Sequence, residues 1–315
     1  MSIAACLLLY SFTVIVVGPP VLRLLTRGGQ APRFGVAAWL TAVASVLLTW
    51  AAAVVLVVVD VGRHWNQRGG LILVSCLMRL HAVAVGDAGV VPQIALLAVA
   101  VAVVAAAVFI GARLARTVSR LRVRAHEHAD AVRIVGRRTG HSDVVVLDAM
   151  KPAAYCVSGR PPAIVVTSGA LAALDDHQLG AVVAHERAHL AGHHPNVVAT
   201  LRSLAMVFPQ FPLMAVAPRE VARLLEMCAD DAAARQHGSR ALLSGLLALS
   251  GAAPAEALGA ADVAVLSRAE RLIVPSAVHA RVRASAALAG ALAIIAAGPV
   301  MTAVLASSGA LMCGL

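Results

Sequence analysis

The sequence predicts a mainly α-helical membrane protein that carries an α+β domain between its third and fourth transmembrane helices. Hydrophobic residues make up 60% of the 315-residue chain, charged residues only 13%, and the mean hydropathy is +0.85. These values are far from those of a soluble globular protein. Four segments are long and apolar enough to cross a bilayer: residues 2–24, 35–60, 90–112 and 284–306.

The spans divide the chain into three parts: a three-span region at 1–112 with an outer loop near 62–89, a domain at 113–283, and a final span with a short tail at 284–315. The first span has no basic segment before it and no cleavage site, so we expect it to be retained. Residues 71–85 are a further apolar run, but they include Arg79 and His81. Because this run is too short to cross a bilayer, we expect an interfacial or re-entrant helix.

Arginine predicts the orientation. Basic residues cluster after the first span, after the third span and before the fourth: Arg23, Arg27 and Arg33; Arg113, Arg116, Arg120, Arg122 and Arg124; Arg281 and Arg283. The positive-inside rule therefore places residues 113–283 in the cytoplasm and both termini outside. The net charge of +10 reflects this excess of arginine beside the spans, and we expect these arginines to attract anionic lipid. No nucleic-acid motif accompanies it, so we expect no direct binding of nucleic acid.

The domain begins with a basic helix that continues from the third span to about residue 138. Short strands, a turn and a helical lead-in follow: strands at 144–149, 153–157 and 163–168, and a short helix at 169–174. Asp175 or Asp176 then caps a helix that extends to about residue 191, where Gly192 ends it. A substrate segment is expected to add as a strand to the edge formed near 163–168.

Residues 196–217 are apolar enough to resemble another span, but they contain Arg202, Pro209 and Pro212. We interpret them as a membrane-skimming hairpin or as the apolar roof of a site. A helix over about 219–236 follows. Residues 237–280 then show helical periodicity with little chemistry and lead back to the last span.

His185-Glu186-Arg187-Ala188-His189 is an HExxH motif on the predicted helix. Residues four apart share a helix face, so the two imidazoles are placed to bind one Zn²⁺, with Glu186 close enough to deprotonate a water there. The alternative is an amphipathic helix without a metal site, in which the two histidines occur four residues apart by chance. Cys6, Cys76, Cys156, Cys228 and Cys313 lack metal-type spacing.

Glu226 and Asp230 lie one turn apart on the next helix. Glu226 is a candidate third ligand, which would complete a His₂Glu site with one open position, and Asp230 would orient a ligand imidazole from behind. Glu220 competes for the third position but has no aspartate one turn later. We interpret Asp231 as a solvated neighbour.

We interpret the other histidine pairs of the domain as having no role in metal binding. His193 and His194 follow Gly192, and His194 is off the register of the motif face, so we expect a polar loop there. His126-Glu127-His128 has the look of a metal clip, but we interpret it as part of a charged helix face.

An HExxH followed by Glu226-x-x-Ala229-Asp230, inside an insert before the last of four spans, resembles the BlaR/MecR antirepressor family of membrane zinc peptidases. The resemblance covers nearly the whole chain. It implies a cytoplasmic gluzincin-like zinc peptidase domain with His185, His189 and Glu226 as ligands and Glu186 as general base. Residues 163–189 also resemble HtpX-type and CAAX-type membrane proteases.

The chain departs from that family in informative ways. Members often have an acidic residue five places after the second motif histidine, where this chain has His194. The cysteine usual just before the aspartate is displaced to Cys228. Antibiotic-sensing members carry an extracellular penicillin-binding domain after the last span, whereas this sequence stops soon after it. Since the only lysine, Lys151, has Asp148 three places before it, no Ser-x-x-Lys exists and we expect no acylation by a β-lactam.

Three functions are compatible with these features. The resemblance implies a regulatory protease that cleaves a cytoplasmic protein, a DNA-binding transcriptional repressor, in a stress or cell-wall-linked pathway. An HtpX-type quality-control protease is the alternative, which the lack of a long apolar pair spanning the membrane after HExxH disfavours. A non-catalytic membrane receptor is the third, against which the presence of Glu186 argues. The lipid bilayer is an expected partner, and an oligomer is compatible with the sequence.

Overall fold

The computed structural model describes residues 3–64, 90–138, 143–250, 268–274 and 277–307, and these are mostly helical. The helices are α1 (Ile3–Thr26), α2 (Pro32–His64), α3 (Val90–Val135), α4 (Ser168–Ala173), α5 (Asp176–Ala191), α6 (His194–Val207), α7 (Pro212–His237), α8 (Ser239–Ser250) and α9 (Val278–Ser307). The strands are β1 (Arg137–Arg138), β2 (Val144–Leu147), β3 (Ala154–Val157) and β4 (Ala163–Thr167). Residues 268–273 are also helical.

Three described helices are long and apolar enough to cross a membrane: α1, α9 and the segment of α2 that runs from Pro32 to Leu56. They correspond to the first, second and fourth predicted spans. The third predicted span coincides with the first half of α3, which is helical from Val90, and its crossing stays a prediction. Residues 71–85 and most of the predicted outer loop lie outside the described residues.

A polar contact joins α1, α2 and α9. The Tyr10 hydroxyl donates to the carbonyl of Ile295 at 2.7 Å and lies 3.0 Å from the Ser45 hydroxyl. Gly298 allows this approach, because a Cβ there would lie 2.3 Å from the Tyr10 ring. Hydrogen-bonding hydroxyls suit an apolar environment, in which an unpaired polar group is costly.

The domain contains a four-stranded sheet in the order β1-β2-β4-β3, with β2 and β4 parallel and the other pairs antiparallel. The three predicted strands are confirmed to within two residues. The basic helix expected to reach residue 138 instead ends at Val135, and Arg137–Arg138 forms β1. The expectation of a free edge near 163–168 is wrong: β4 is paired on both sides and all five of its residues are buried. The edge strand next to β4 is β3, and β1 forms the other edge of the sheet.

The two faces of the sheet are covered by different helices. Ala129 and Val132 of α3 pack against Val145 and Val165 on one face. On the other face, the buried side of α5 packs against Ile164 and its neighbours. Because α5 carries the HExxH sequence, the sheet holds that helix from behind.

Helices α6 and α7 form an apolar hairpin that packs alongside α1 and α2. Leu201, Leu204, Leu213 and Met214 share a buried cluster with residues of both spans, and the Trp50 ring lies 5.5 Å from that of Phe208. At the other end of the hairpin, Leu224 packs against Gly35. Trp50 and Gly35 are ~22 Å apart along α2, most of the thickness of a bilayer core.

This hairpin corrects one expectation. The second helix begins at Pro212 rather than at 219, because Pro212 occupies the first turn, where no backbone N–H is needed. The sequence indicated no long apolar pair spanning the membrane after HExxH, and neither α6 nor α7 is among the described helices long and apolar enough to cross one. Of the region 237–280, α8 and residues 268–274 and 277–280 are described, and 251–267 lie outside the described residues.

Candidate metal centre

Helix α5 presents the HExxH residues from a well-defined start and end. The Asp175 carboxylate accepts the backbone N–H of Gln178, and the Gln178 side chain accepts the N–H of Asp175. This capping box identifies Asp175, not Asp176, as the N-cap. Gly192 caps the other end, as the sequence predicted. The helix therefore holds His185 and His189 on the face that meets α7.

The structure brings His185, His189 and Glu226 together. Nε2 of His185 lies 3.0 Å from Nε2 of His189, and the two Glu226 carboxylate oxygens each lie 3.4 Å from one of these nitrogens. Four ligands around Zn²⁺ at usual bond lengths stand about 3.3 Å apart. Both the spacing and the donor set of two imidazoles and a carboxylate thus fit a tetrahedral zinc site.

Among the described residues, this is the single group of three or more His, Cys, Asp or Glu side chains close enough to hold a metal. Glu220, the competing third ligand, is instead paired with Arg23 at 3.1 Å and Arg223 at 3.2 Å. His128, in the clip-like sequence, stacks on Tyr155. The geometry therefore favours Glu226.

Behind His185 lies an acidic and basic pair. Oδ1 of the fully buried Asp230 is 3.2 Å from Nδ1 of His185, an ion-pair contact rather than an aligned hydrogen bond. Arg268 donates to both oxygens of Asp230, at 2.8 and 2.6 Å. It also lies 3.1 Å from Oε2 of Glu226. The expectation of little chemistry beyond residue 237 is therefore wrong, since Arg268 bridges the candidate ligand and Asp230.

Asp231 also has a partner. Arg271 donates to both of its oxygens, at 2.7 and 2.8 Å, and donates to the carbonyl of Gly29 between α1 and α2 at 2.9 Å. Asp231 is thus a partly exposed neighbour, as interpreted from the sequence, but one that is paired with an arginine. Arg268 and Arg271 stand about one helical turn apart, but no local pattern in the sequence links them to aspartates 38 and 40 residues away.

Behind His189 lies His194, which the sequence placed in a polar loop. That expectation is wrong: His194 is buried, and its Nδ1 lies 2.9 Å from Nδ1 of His189. A left-handed residue, His193 (φ 51°), lets α6 start directly after α5 and turns the His194 ring back. Gly192 leaves room for the ring, because a Cβ there would lie 2.2 Å from Nε2 of His194.

The protonation of this pair follows from its geometry. If Nε2 of His189 is a ligand, its Nδ1 carries the proton and donates to Nδ1 of His194. His194 must then be neutral. Burial and the nearby His189 lower the pKa of His194 to about 4, which agrees with that state.

Glu186 points toward β3 and not into the ligand triad. Burial raises the pKa of its carboxyl, against the opposing effect of His185 and His189. The Cys156 thiol of β3 is in hydrogen-bond contact with this carboxylate, and burial together with Glu186 raises the pKa of the thiol to about 12. A carboxylate with a raised pKa can hold a transferred proton.

The candidate ligands differ in charge. Burial opposes the charged forms, but contacts with Asp230 and Glu226 outweigh it and raise the pKa of His185 to about 9. The pKa of Glu226 is lowered despite burial, because His185, His189 and Arg268 surround its carboxylate. Glu226 is therefore ionised over the whole useful pH range.

The site lies near the end of the first span. Arg23 pairs with Glu220, and Arg223 donates to the carbonyl of Thr26, the last residue of α1, at 3.1 Å. Glu226 follows Arg223 by less than one helical turn. The candidate metal centre thus lies near the part of α7 that contacts the end of α1.

An HExxH helix against a sheet, with a glutamate from a second helix facing both histidines, is the arrangement expected of an HExxH metallopeptidase. Residues 115–270 match the model of peptidase family M48. This match supports a membrane-associated zinc metallopeptidase. No curated protein and no solved structure matches the chain significantly.

Proposed function

We propose that the protein is a membrane-embedded zinc endopeptidase whose site faces the cytoplasm. The observation that carries this proposal is the convergence of His185, His189 and Glu226 at zinc-like separations, with Glu186 next to His185 on the same helix. The arginine clusters flanking the domain support the cytoplasmic orientation. His185, His189 and Glu226 would hold the metal.

Each nearby side chain has a role in this proposal. Zn²⁺ supplies a Lewis acid that polarises a carbonyl and acidifies water. Glu186 takes the proton of the attacking water and delivers it to the leaving amine. Asp230, held by Arg268, orients His185, and His194 orients His189. Because Asp230 and His194 are buried behind the imidazoles of His185 and His189, they keep the two ring planes fixed.

The substrate is proposed to bind as an added strand on β3. Within the described residues β3 pairs with β4 alone, and Cys156 of β3 contacts Glu186. A peptide paired with that edge passes beside the general base. In the regulatory form of the proposal, the substrate is a cytoplasmic DNA-binding repressor in a stress or cell-wall-linked pathway, which rests on the resemblance to BlaR/MecR proteins.

Quality control of membrane proteins is a second candidate, and a specific observation favours it. The apolar hairpin α6–α7 lies along α1 and α2, and Glu226 follows directly from it. A site so close to the bilayer surface can reach the segments of membrane proteins that emerge from lipid. The argument from the sequence against an HtpX-type function still stands, because neither α6 nor α7 is among the described helices long and apolar enough to cross a membrane.

The test compares the full-length wild type with Glu186→Gln, both reconstituted in lipid with Zn²⁺. We expect wild type to cleave an unfolded reporter protein and Glu186→Gln to bind zinc normally without cleaving. Equal cleavage by both would exclude Glu186 as the base. Absence of cleavage by both, with zinc bound, would favour the non-catalytic receptor.

New protein N-termini in cells then separate the two substrate classes. Cells expressing wild type are compared with cells expressing Glu186→Gln under cell-wall stress. A few cuts concentrated in a DNA-binding repressor would support the regulatory form. Many cuts in membrane proteins near the bilayer surface would support quality control.

A further inference from the structure

We infer that the cleft between α3, β3 and α6 is a specificity site that selects an apolar substrate side chain, an inference that rests on the proposed peptidase function. The cleft has a volume of about 350 Å³. That volume lies at the lower end of the range for ligand pockets and suits a short stretch of peptide with one large side chain.

The edge of β3 defines how a peptide lies in the cleft. The N–H of Thr167 donates to the carbonyl of Ala153 at 3.0 Å, and the register pairs Tyr155 with Val165. In an antiparallel pair, hydrogen-bonded residues alternate with residues whose backbone groups point outward. The N–H and C=O of Ala154 and Cys156 therefore point away from β4 toward the free edge, where Cys156 lines the cleft, and can pair with an extended segment.

An added strand would point its side chains alternately to the two faces of the sheet. On one face, the side chain of Cys156 contacts Glu186, so that face leads to the candidate metal centre. On the other face, Tyr155 and Val157 belong to the cluster that packs under α3. Substrate residues next to the one at the metal centre would thus point toward α3.

Helix α3 offers an apolar stripe at that position. Val118, Leu121 and Ala125 line the cleft, and Ala129 and Val132 continue the same helix face onto the sheet, where they are buried. The later half of the stripe covers the sheet, whereas Leu121 is 37% exposed. An apolar stripe on a helix rich in arginine is expected to cover something. A bound strand at the sheet edge is the segment that would complete this packing.

Helix α6 forms the opposite wall. Pro195 and Ala199 line the cleft one and five residues after His194, which contacts His189. The cleft thus borders two elements that contact residues of the candidate metal centre, β3 through Cys156 and α6 through His194. The occupant we assign is an extended protein segment with a leucine-sized or phenylalanine-sized side chain facing α3.

The experiment measures kcat/KM of the full-length, zinc-loaded protein on peptides that differ at one position near the scissile bond. We expect Leu or Phe at the position facing α3 to be preferred over Ser by at least about tenfold. In Leu121→Asp, cleavage of the Leu peptide should fall by about 10- to 100-fold, mainly through KM, and a Lys peptide should improve. Val123→Asp is the matched control, because Val123 is 55% exposed on the opposite side of α3 and its variant should stay within about twofold.

Unchanged selectivity in Leu121→Asp, or an equal change in Val123→Asp, would overturn the inference. A second arm does not depend on cleavage: Glu186→Gln protein with a photocrosslinking residue at position 121 or at 123 is irradiated with the Leu peptide. Peptide capture from 121 but not from 123 supports the site, and capture of lipid in place of peptide overturns it. Peptide capture without any cleavage by wild type would refute the proposed function and not the cleft.

Discussion

Nδ1 of His194 lies 2.9 Å from Nδ1 of His189, on the side of the imidazole opposite the candidate metal centre. The same arrangement recurs at His185, where Asp230 stands behind Nδ1 at 3.2 Å. The two candidate ligands therefore differ in the group that stands behind Nδ1. His189 has the neutral imidazole of His194 there, whereas His185 has the anionic carboxylate of Asp230. A carboxylate makes its imidazole a stronger donor than a neutral acceptor does.

The first prediction concerns His194. Removing it in His194→Ala should lower zinc affinity by about 10- to 100-fold, because His189 loses the partner that fixes its tautomer and ring plane. His194→Asp, which restores an acceptor, should recover much of the affinity. Zinc affinity is measured by competition with a chromophoric chelator.

His193→Asn is the matched control for that series. His193 is exposed, and asparagine tolerates its left-handed backbone. Its zinc affinity should equal that of wild type. A loss as large as in His194→Ala would show that disturbance of the α5–α6 connection, rather than the His194 contact, causes the effect.

The second prediction separates Glu226 from Glu220. Glu226→Gln should weaken zinc binding by orders of magnitude, since an ionised ligand is replaced by a neutral amide. Glu220→Gln breaks the pairs with Arg23 and Arg223 and should leave zinc binding intact while lowering thermal stability modestly. Zinc content after dialysis distinguishes them, and metal retained by Glu226→Gln but lost by Glu220→Gln would reverse the assignment.

The third prediction concerns pH. In the metal-free protein the pKa of His185 is raised to about 9, so this imidazole is protonated at pH 7. Zinc binds the deprotonated ring, and proton and metal compete for Nε2. Apparent zinc affinity should therefore rise by about tenfold per pH unit between pH 7 and 9 and level off above.

Calorimetry in two buffers of different ionisation enthalpy provides the check. At pH 7 about one proton should be released per zinc from this histidine, falling toward none above pH 9. A zinc affinity that does not change from pH 7 to 9 would contradict the raised pKa.

The fourth prediction concerns the buried pair of Asp230 and Arg268. In Arg268→Ala a fully buried carboxylate loses both of its guanidinium hydrogen bonds. We expect a loss of about 3 kcal/mol in the free energy of unfolding. Arg268→Lys should recover only part, because an ammonium group cannot make the bidentate contact.

Arg271→Ala is the comparison variant, since its partner Asp231 is more exposed than Asp230. Its loss in the free energy of unfolding should be clearly smaller. Denaturant unfolding of the reconstituted protein measures both. Equal losses would mean that burial of Asp230 does not control the cost.

The part of the site that could be predicted from the sequence is the part whose residues lie close together along the chain. His185, Glu186 and His189 lie within one helical turn or so, and the helix period alone places them together. Glu226 and Asp230 could be nominated because they repeat that period on a neighbouring helix. Arg268 stands 38 residues from Asp230, and no periodicity links such positions.

His194 shows a different limit. Its register on a continued helix points away from the motif face, which predicted a polar loop. The helix does end at Gly192, as predicted, but the positive φ of His193 turns the chain so that the His194 ring lies against His189. A single left-handed residue thus reverses the prediction, and local sequence patterns do not specify such a backbone angle for histidine.

The sequence by itself predicted the three apolar helices α1, α2 and α9, the strands and the motif helix, because hydropathy and short-range periodicity act within one element. Tertiary structure alone decided which strand is the free edge, that the hairpin α6–α7 lies along α1 and α2, and which side chains stand behind the two histidines. Those features depend on packing between elements far apart in the chain. Their physical cause is the burial of apolar faces and buried charges that must find partners, and both are decided in three dimensions.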